Sequence, residues 1–164
     1  MSLDMSINGK PSARTKVVVE RGPLVNFAKS VKEDNPIYRD ASAAEAAGFS
    51  GIPVPPTYPF VCGTWGAFPE IQPDNSDVEP GGAMAVIGKL RTEKGGMILH
   101  GEQEFEYHRP VVVGETLTGE GAVSELYQKE SGGKTMTFCV TETTWRNESG
   151  EPVLTARFNL IHRV

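Results

Sequence analysis

Residues 24–60 read LVNFAKSVKEDNPIYRDASAAEAAGFSGIPVPPTYPF, and this stretch decides both the fold class and the place where function is expected. Leu24, Phe27, Ala28 and Val31 recur at helical spacing, which predicts a helix with one face on a core and Asn26, Lys29 and Lys32 towards water. Asp34-Asn35-Pro36 ends it, because a residue before proline is biased away from helical geometry and Asn and Asp favour turns. The polar groups of 34–38, held between turn formers, suit either a plain helix stop or a site that keeps polar groups still. Alanine-rich residues 41–47 predict a second short helix stopping at Gly48. In 51–56, GIPVPP, three prolines remove three backbone donors and fix φ, so this segment is a stiff lead-in and neither helix nor central strand. Thr57 can then cap a helix over 58–68 with Pro59 in its first turn. Apolar on nearly every side, that helix is expected to be buried at the centre of the domain.

Working outward, residues 1–13 are polar and without periodicity and predict a mobile leader, with residues 14–164 a single domain. The β-branched run 15–20, TKVVVE, predicts a strand. The acidic, proline-rich stretch 69–82 predicts a long loop. Beyond it the period changes from helical to alternating. Strands are expected over 84–90, 97–109, 115–127, 134–145 and 153–163, separated by glycine turns. In 97–109, strict alternation places Leu99, Gln103, Phe105 and Tyr107 on one face. His100, Glu102, Glu104, Glu106 and His108 fall on the other. Gln103, on the apolar side, needs partners, and a backbone group of the central helix is the expected one. Helices followed by a strand meander imply an α+β domain whose antiparallel sheet curls around one helix.

Composition narrows the function classes. At 164 residues, with 38% hydrophobic and 23% charged residues, the chain suits one soluble globular domain. A net charge of -5 and the lack of any basic run exclude a generic nucleic-acid surface. Cys62 and Cys139 have no CxxC neighbour, so neither a zinc site nor a disulfide framework is indicated, and a reducing, cytoplasmic compartment is expected. No apolar run approaches the ~20 residues of a membrane span. Glu102, Glu104 and Glu106 alternate on one face as solvating charges do; no metal and no cofactor is expected. Ser30 and Ser50 lack a nucleophile elbow, which argues against a serine hydrolase.

The ordered motifs F-A-x-S-x-x-x-D-N-P-I-Y (27–38), A-A-G-F-x-G-I (46–52), P-P-T-Y-P (55–59) and L-H-G-E-Q-E-F-E-Y-H-R-P-V-V-V-G-E-T-L (99–117) resemble the MaoC-like dehydratase family. More closely they resemble the N-terminal hot-dog domain of its fungal fatty-acid-synthase-type branch. The resemblance implies a hot-dog fold and an acyl thioester of coenzyme A or acyl carrier protein as ligand, bound between two such domains. It also implies (R)-specific hydration of trans-2-enoyl thioesters, or the reverse dehydration. Active relatives take an Asp and a His from a G-D-x-N-P-L-H turn and an N–H from a glycine before the central helix.

Carried onto this chain, those positions hold Lys32 for the glycine, Glu33 for the aspartate, Tyr38 for the histidine and Pro56 for the N–H donor. Proline has no N–H, a phenol titrates near ~10, and glutamate carries its carboxylate about one C–C bond farther out. Glu33 and Tyr38 are therefore the degenerate catalytic positions, with Asp34, Asn35, Pro56, Thr57 and His100 as candidate substrate contacts. The expectation is an acyl-channel subunit in a homodimer, or in a heterodimer with a catalytic MaoC-like chain. A self-sufficient divergent hydratase, a hot-dog thioesterase and a non-catalytic acyl-thioester binding protein stay open.

Overall fold

The computed structural model describes residues 7–9, 11–62, 70–75 and 82–164. Five strands, β1 (Pro11–Val18), β2 (Met97–Tyr107), β3 (Thr116–Ser131), β4 (Lys134–Arg146) and β5 (Pro152–Arg163), form one antiparallel sheet in the order β1-β3-β4-β5-β2. The helices are α1 (Arg21–Ser30), α2 (Ala41–Ala46), α3 (Pro59–Cys62) and α4 (Gly82–Lys94), with a 3-10 turn at Pro36–Tyr38 between α1 and α2. β1 begins at Pro11 and so takes in the end of the stretch expected as leader; residues 1–6 lie outside the described residues. β3 and β4 form a hairpin over Gly132 and Gly133, whose φ values of 57° and 71° are those a two-residue turn of this twist requires.

The strand expected over 84–90 is a helix. Ala83, Ile87 and Leu90 are the buried residues of α4, at i, i+4 and i+7, so its apolar spacing is helical in spite of the β-branched Val86-Ile87 pair. α4 packs on β2, β3, β4 and β5, and Thr141 on β4 supplies the hydroxyl that accepts the Ala83 N–H at 2.8 Å. Among the described residues, the helix packed across the sheet is α4. Of the segment expected in that role, Pro59–Cys62 is helical and 63–68 lies outside the described residues.

The core falls into two clusters. One joins Ile87 and Leu90 of α4 to Val123, Leu126, Cys139 and Leu160 of the sheet. The other gathers Leu24 and Phe27 of α1, Ile52 and Val54 of the proline lead-in, Tyr58, and Val111, Leu117, Val153 and Leu154 at one end of the sheet. Leu24 and Ile87 are fully buried, each contributing about 2 kcal/mol of transfer free energy.

The two sheet edges differ. Along β1, Asn75 and Gln72 act as a substitute strand: the side-chain oxygens accept the Lys16 and Val18 N–H groups at 2.9 and 3.0 Å. Their amide nitrogens donate back to the same residues' carbonyls, both at 2.9 Å. The outer edge of β2 has no such cover among the described residues, and Met97, Ile98 and Leu99 are exposed there.

Candidate functional site

The 31–40 segment is built from its own hydrogen bonds. The Lys32 and Glu33 N–H groups bond the carbonyls of Lys29 (3.1 Å) and Ala28 (2.8 Å), a Schellman ending to α1 with Lys32 at the left-handed position, φ 59°. Glu33 then accepts the Asn35 N–H at 2.8 Å, and Asn35 Oδ1 accepts the Ile37 N–H at 3.2 Å, capping the 3-10 turn. Arg39 binds the Asp34 carbonyl, while the Asp34 carboxylate, 96% exposed, lies 3.8 Å from the guanidinium. So exposed an ion pair contributes little. Asp40 caps α2 through the Ser42 and Ala43 N–H groups. The knot is rigid before any ligand is considered, and its product is the fixed position of Tyr38.

Tyr38 lines a depression of about 310 Å³ together with Phe49, Pro53, Val54, Pro56, Tyr107, Arg109, Pro110 and Val111. Burial, and then the neighbouring Glu33 carboxylate, push the Tyr38 phenol above its usual pKa, so at neutral pH it is a neutral hydroxyl. The opposite wall is held by Val54 N–H to Val111 O and Val113 N–H to Ile52 O, both 2.9 Å, which pair the lead-in with residues 111–113. Tyr107 donates its hydroxyl to the Pro56 carbonyl at 3.0 Å. Arg109 is neutralised by Glu115 at 2.6 Å, whose second oxygen accepts the Val112 N–H at 2.9 Å. The depression is apolar-walled, with a phenol at its rim and no unpaired carboxylate.

The structure brings Tyr38 and Pro56 together in this depression; Glu33, Asp34 and Asn35 stand on the turn behind Tyr38, and Thr57 is exposed at the entry to α3. His100 lies elsewhere, farther along β2. His108 bonds Thr155 Oγ1 at 2.9 Å, and His162, 1% exposed, bonds the Gly95 carbonyl at 2.7 Å. None of the chain's three histidines lines the depression.

The face expected for His100 is corrected. A bulge at Gly101 shifts the register between His100 and Glu102, so His100 faces Leu160 while Gln103, Phe105 and Tyr107 face Phe158, Ala156 and Leu154. His100 therefore shares the α4 side of the sheet with Gln103, and Glu102, Glu104 and Glu106 point the other way. Gln103 does not serve a helix: its Nε2 donates to the β5 carbonyl of Arg157 at 2.8 Å. Tyr107, Arg109 and Phe49 were not foreseen as site residues; the Tyr107-to-Arg109 middle of the fourth motif was the available signal.

Residues 6–156 match the family described as FAS1-like, dehydratase domain region. The UPF0336 protein of Saccharopolyspora erythraea is 29% identical over 164 residues, covering 99% of this chain and 93% of that one. The UPF0336 protein of Leifsonia xyli is 33% identical over 146 residues, covering 89% and 85%. Among solved structures, the ChsH1-ChsH2 complex of Mycobacterium tuberculosis superposes with a TM-score of 0.72 at 24% identity, covering 93% of this chain and 84% of that one. The HadBC (3R-hydroxyacyl-ACP dehydratase) complex of the same organism gives 0.69 at 21%, covering 94% and 96%. These likenesses establish the hot-dog fold. Among the described residues, no helix is long and apolar enough to cross a membrane.

Proposed function

Because this chain belongs to the FAS1-like dehydratase domain region of the MaoC-like hot-dog dehydratases, we propose that it is the acyl-binding component of an (R)-specific enoyl-thioester hydratase or 3-hydroxyacyl-thioester dehydratase. Its catalytic Asp and His would come from a second hot-dog chain. Adding water across an enoyl thioester needs a base for the water, an acid for the α-carbon and a donor for the enolate oxygen. One observation carries the reading. At the positions to which the resemblance assigns imidazole and a glycine N–H, this chain has the neutral Tyr38 phenol and Pro56, which has no N–H, and its three histidines lie outside the depression. An apolar depression remains, suited to holding a thioester.

Assembly with a second hot dog fits the sheet edges. β1 is sealed by Gln72 and Asn75, whereas β2 offers an eleven-residue edge with Met97, Ile98 and Leu99 exposed. Two of the fold relatives are two-chain complexes by their own description. The ligand would be a coenzyme A or carrier-protein thioester.

The test is hydration of crotonyl-CoA by the purified chain, alone and mixed with a MaoC-like chain bearing an intact G-D-x-N-P-L-H turn. Little turnover alone and full turnover on mixing is the expected result. Turnover alone in the ordinary enzyme range of ~1–10³ s⁻¹ would overturn it and point to Glu33, the half-buried carboxylate beside Tyr38. A Glu33→Gln variant then decides whether the chain is a self-sufficient hydratase.

A further inference from the structure

The α4-facing side of β2 carries a line of residues leading away from the Tyr38 depression: Tyr107, then Phe105, then Gln103, then, through the Gly101 bulge, His100. The line begins apolar and ends polar. Gln103 Nε2 is committed to the Arg157 carbonyl at 2.8 Å, which fixes the amide's orientation and leaves Oε1 buried without a hydrogen-bond partner. A buried acceptor left unmade is unfavourable, and a leucine here would avoid that cost. His100, exposed, is one corner of a three-ring cluster with Phe60, 5.2 Å away, and Phe158, 4.9 Å away, whose own centroids are 5.6 Å apart. By register His100 and Gln103 share one face of β2 across the Gly101 bulge. Gly101 is what permits this, because a Cβ there would lie 2.8 Å from Ile161 Cδ1.

We propose that Gln103 and His100 form a polar subsite for a neutral hydrogen-bond donor, a hydroxyl or an amide N–H, carried by an otherwise apolar thioester. The inference rests on the acyl-thioester reading above and extends it to what kind of thioester is preferred. Oε1 is acceptor only, so it selects O–H or N–H and disfavours a carboxylate. Gln103 lies four residues from Tyr107, about 14 Å along the strand, roughly the reach of a ten-carbon chain. The donor is then either a hydroxyl far along the acyl tail or an amide of the carrier arm.

Isothermal titration of the full chain with three probes separates the sources: decanoyl-CoA, ω-hydroxydecanoyl-CoA, and the decanoyl thioester of mercaptoethanesulfonate, which has no amide. With a tail donor, wild type binds the hydroxylated probe about tenfold tighter than decanoyl-CoA, and Gln103→Leu removes the difference. With an arm donor, Gln103→Leu weakens both coenzyme A probes about tenfold and leaves the amide-free thioester unchanged. His100→Phe, which keeps a third ring in the cluster, loses part of the same preference. Gln103→Leu binding all three probes as wild type does, with only a rise in melting temperature, overturns the subsite and leaves the function standing. Wild type binding no probe, alone or with a partner chain, overturns both.

Discussion

The Tyr107 hydroxyl donates a hydrogen bond of 3.0 Å to the Pro56 carbonyl, tying the end of the exposed edge strand to the proline lead-in. The Pro56 carbonyl, which lines the depression, is thus already bonded. Tyr107→Phe removes the donor and leaves the carbonyl to find water. The expected cost is about 1 kcal/mol, a melting temperature lower by about 3 °C for a chain of this size. Thermal unfolding measures it; an unchanged melting temperature would mean the bond contributes nothing to stability.

Lys32→Gly should do the opposite. Lys32 closes the Schellman ending of α1 with φ 59°, a conformation that strains any residue with a Cβ and that glycine adopts freely. A gain of about 1 kcal/mol in urea unfolding is expected, with Lys32→Ala giving none. Equal effects of the two substitutions would show that the side chain rather than the backbone matters there.

The α1 periodicity, the Asn-Pro stop, the alanine helix and the long alternating strands were legible because each is decided by neighbours in sequence. α4 was not. The β-branched Val86-Ile87 pair speaks for a strand and Gly88 against a helix, and only burial of Ala83, Ile87 and Leu90 against strands that follow in the sequence settles the helix. His100 was assigned the wrong face for a related reason: a bulge shifts the alternation by one residue, and what fixes it is the fit of Gly101 against Ile161. Of the residues lining the depression, Tyr38 and Pro56 were named through the family resemblance, which aligns them with a turn and a lead-in close in sequence. Tyr107 and Arg109 meet them only through tertiary pairing of residues far apart in sequence.

Two glycines should rank predictably. A Cβ at Gly96 would lie 2.2 Å from the Arg163 carbonyl oxygen, at φ 76°, with no movable atom to yield. At Gly101 the clash is with a side-chain methyl. Gly96→Ala is therefore expected to cost about 3 kcal/mol or more and Gly101→Ala about 1–2 kcal/mol. Chemical denaturation of both variants checks the order, and the reverse order would contradict the packing at the β2–β5 end.

Cys139 supplies a pH test of the core. It is fully buried beside Ile87 and Leu160, and burial pushes its thiol from an ordinary 9.0 up to about 11. At neutral pH the native thiolate is scarce and inaccessible. In a Cys62→Ser variant, thiol labelling should accordingly proceed at the rate of unfolding and accelerate with urea. The sign of the linkage follows from the raised value: the folded state favours the neutral thiol. Its contribution to stability is present below pH 9 and is lost as pH rises from 9 towards 11. A Cys139→Ala variant lacks this titration. It should show a shallower fall in unfolding midpoint between pH 9 and 11 than the parent, although it is less stable at pH 7 through the lost packing. Parallel pH profiles for the two proteins, or labelling faster than unfolding, would mean that the thiol reaches water in the native state and that the α4 side of the sheet is more open than its packing indicates.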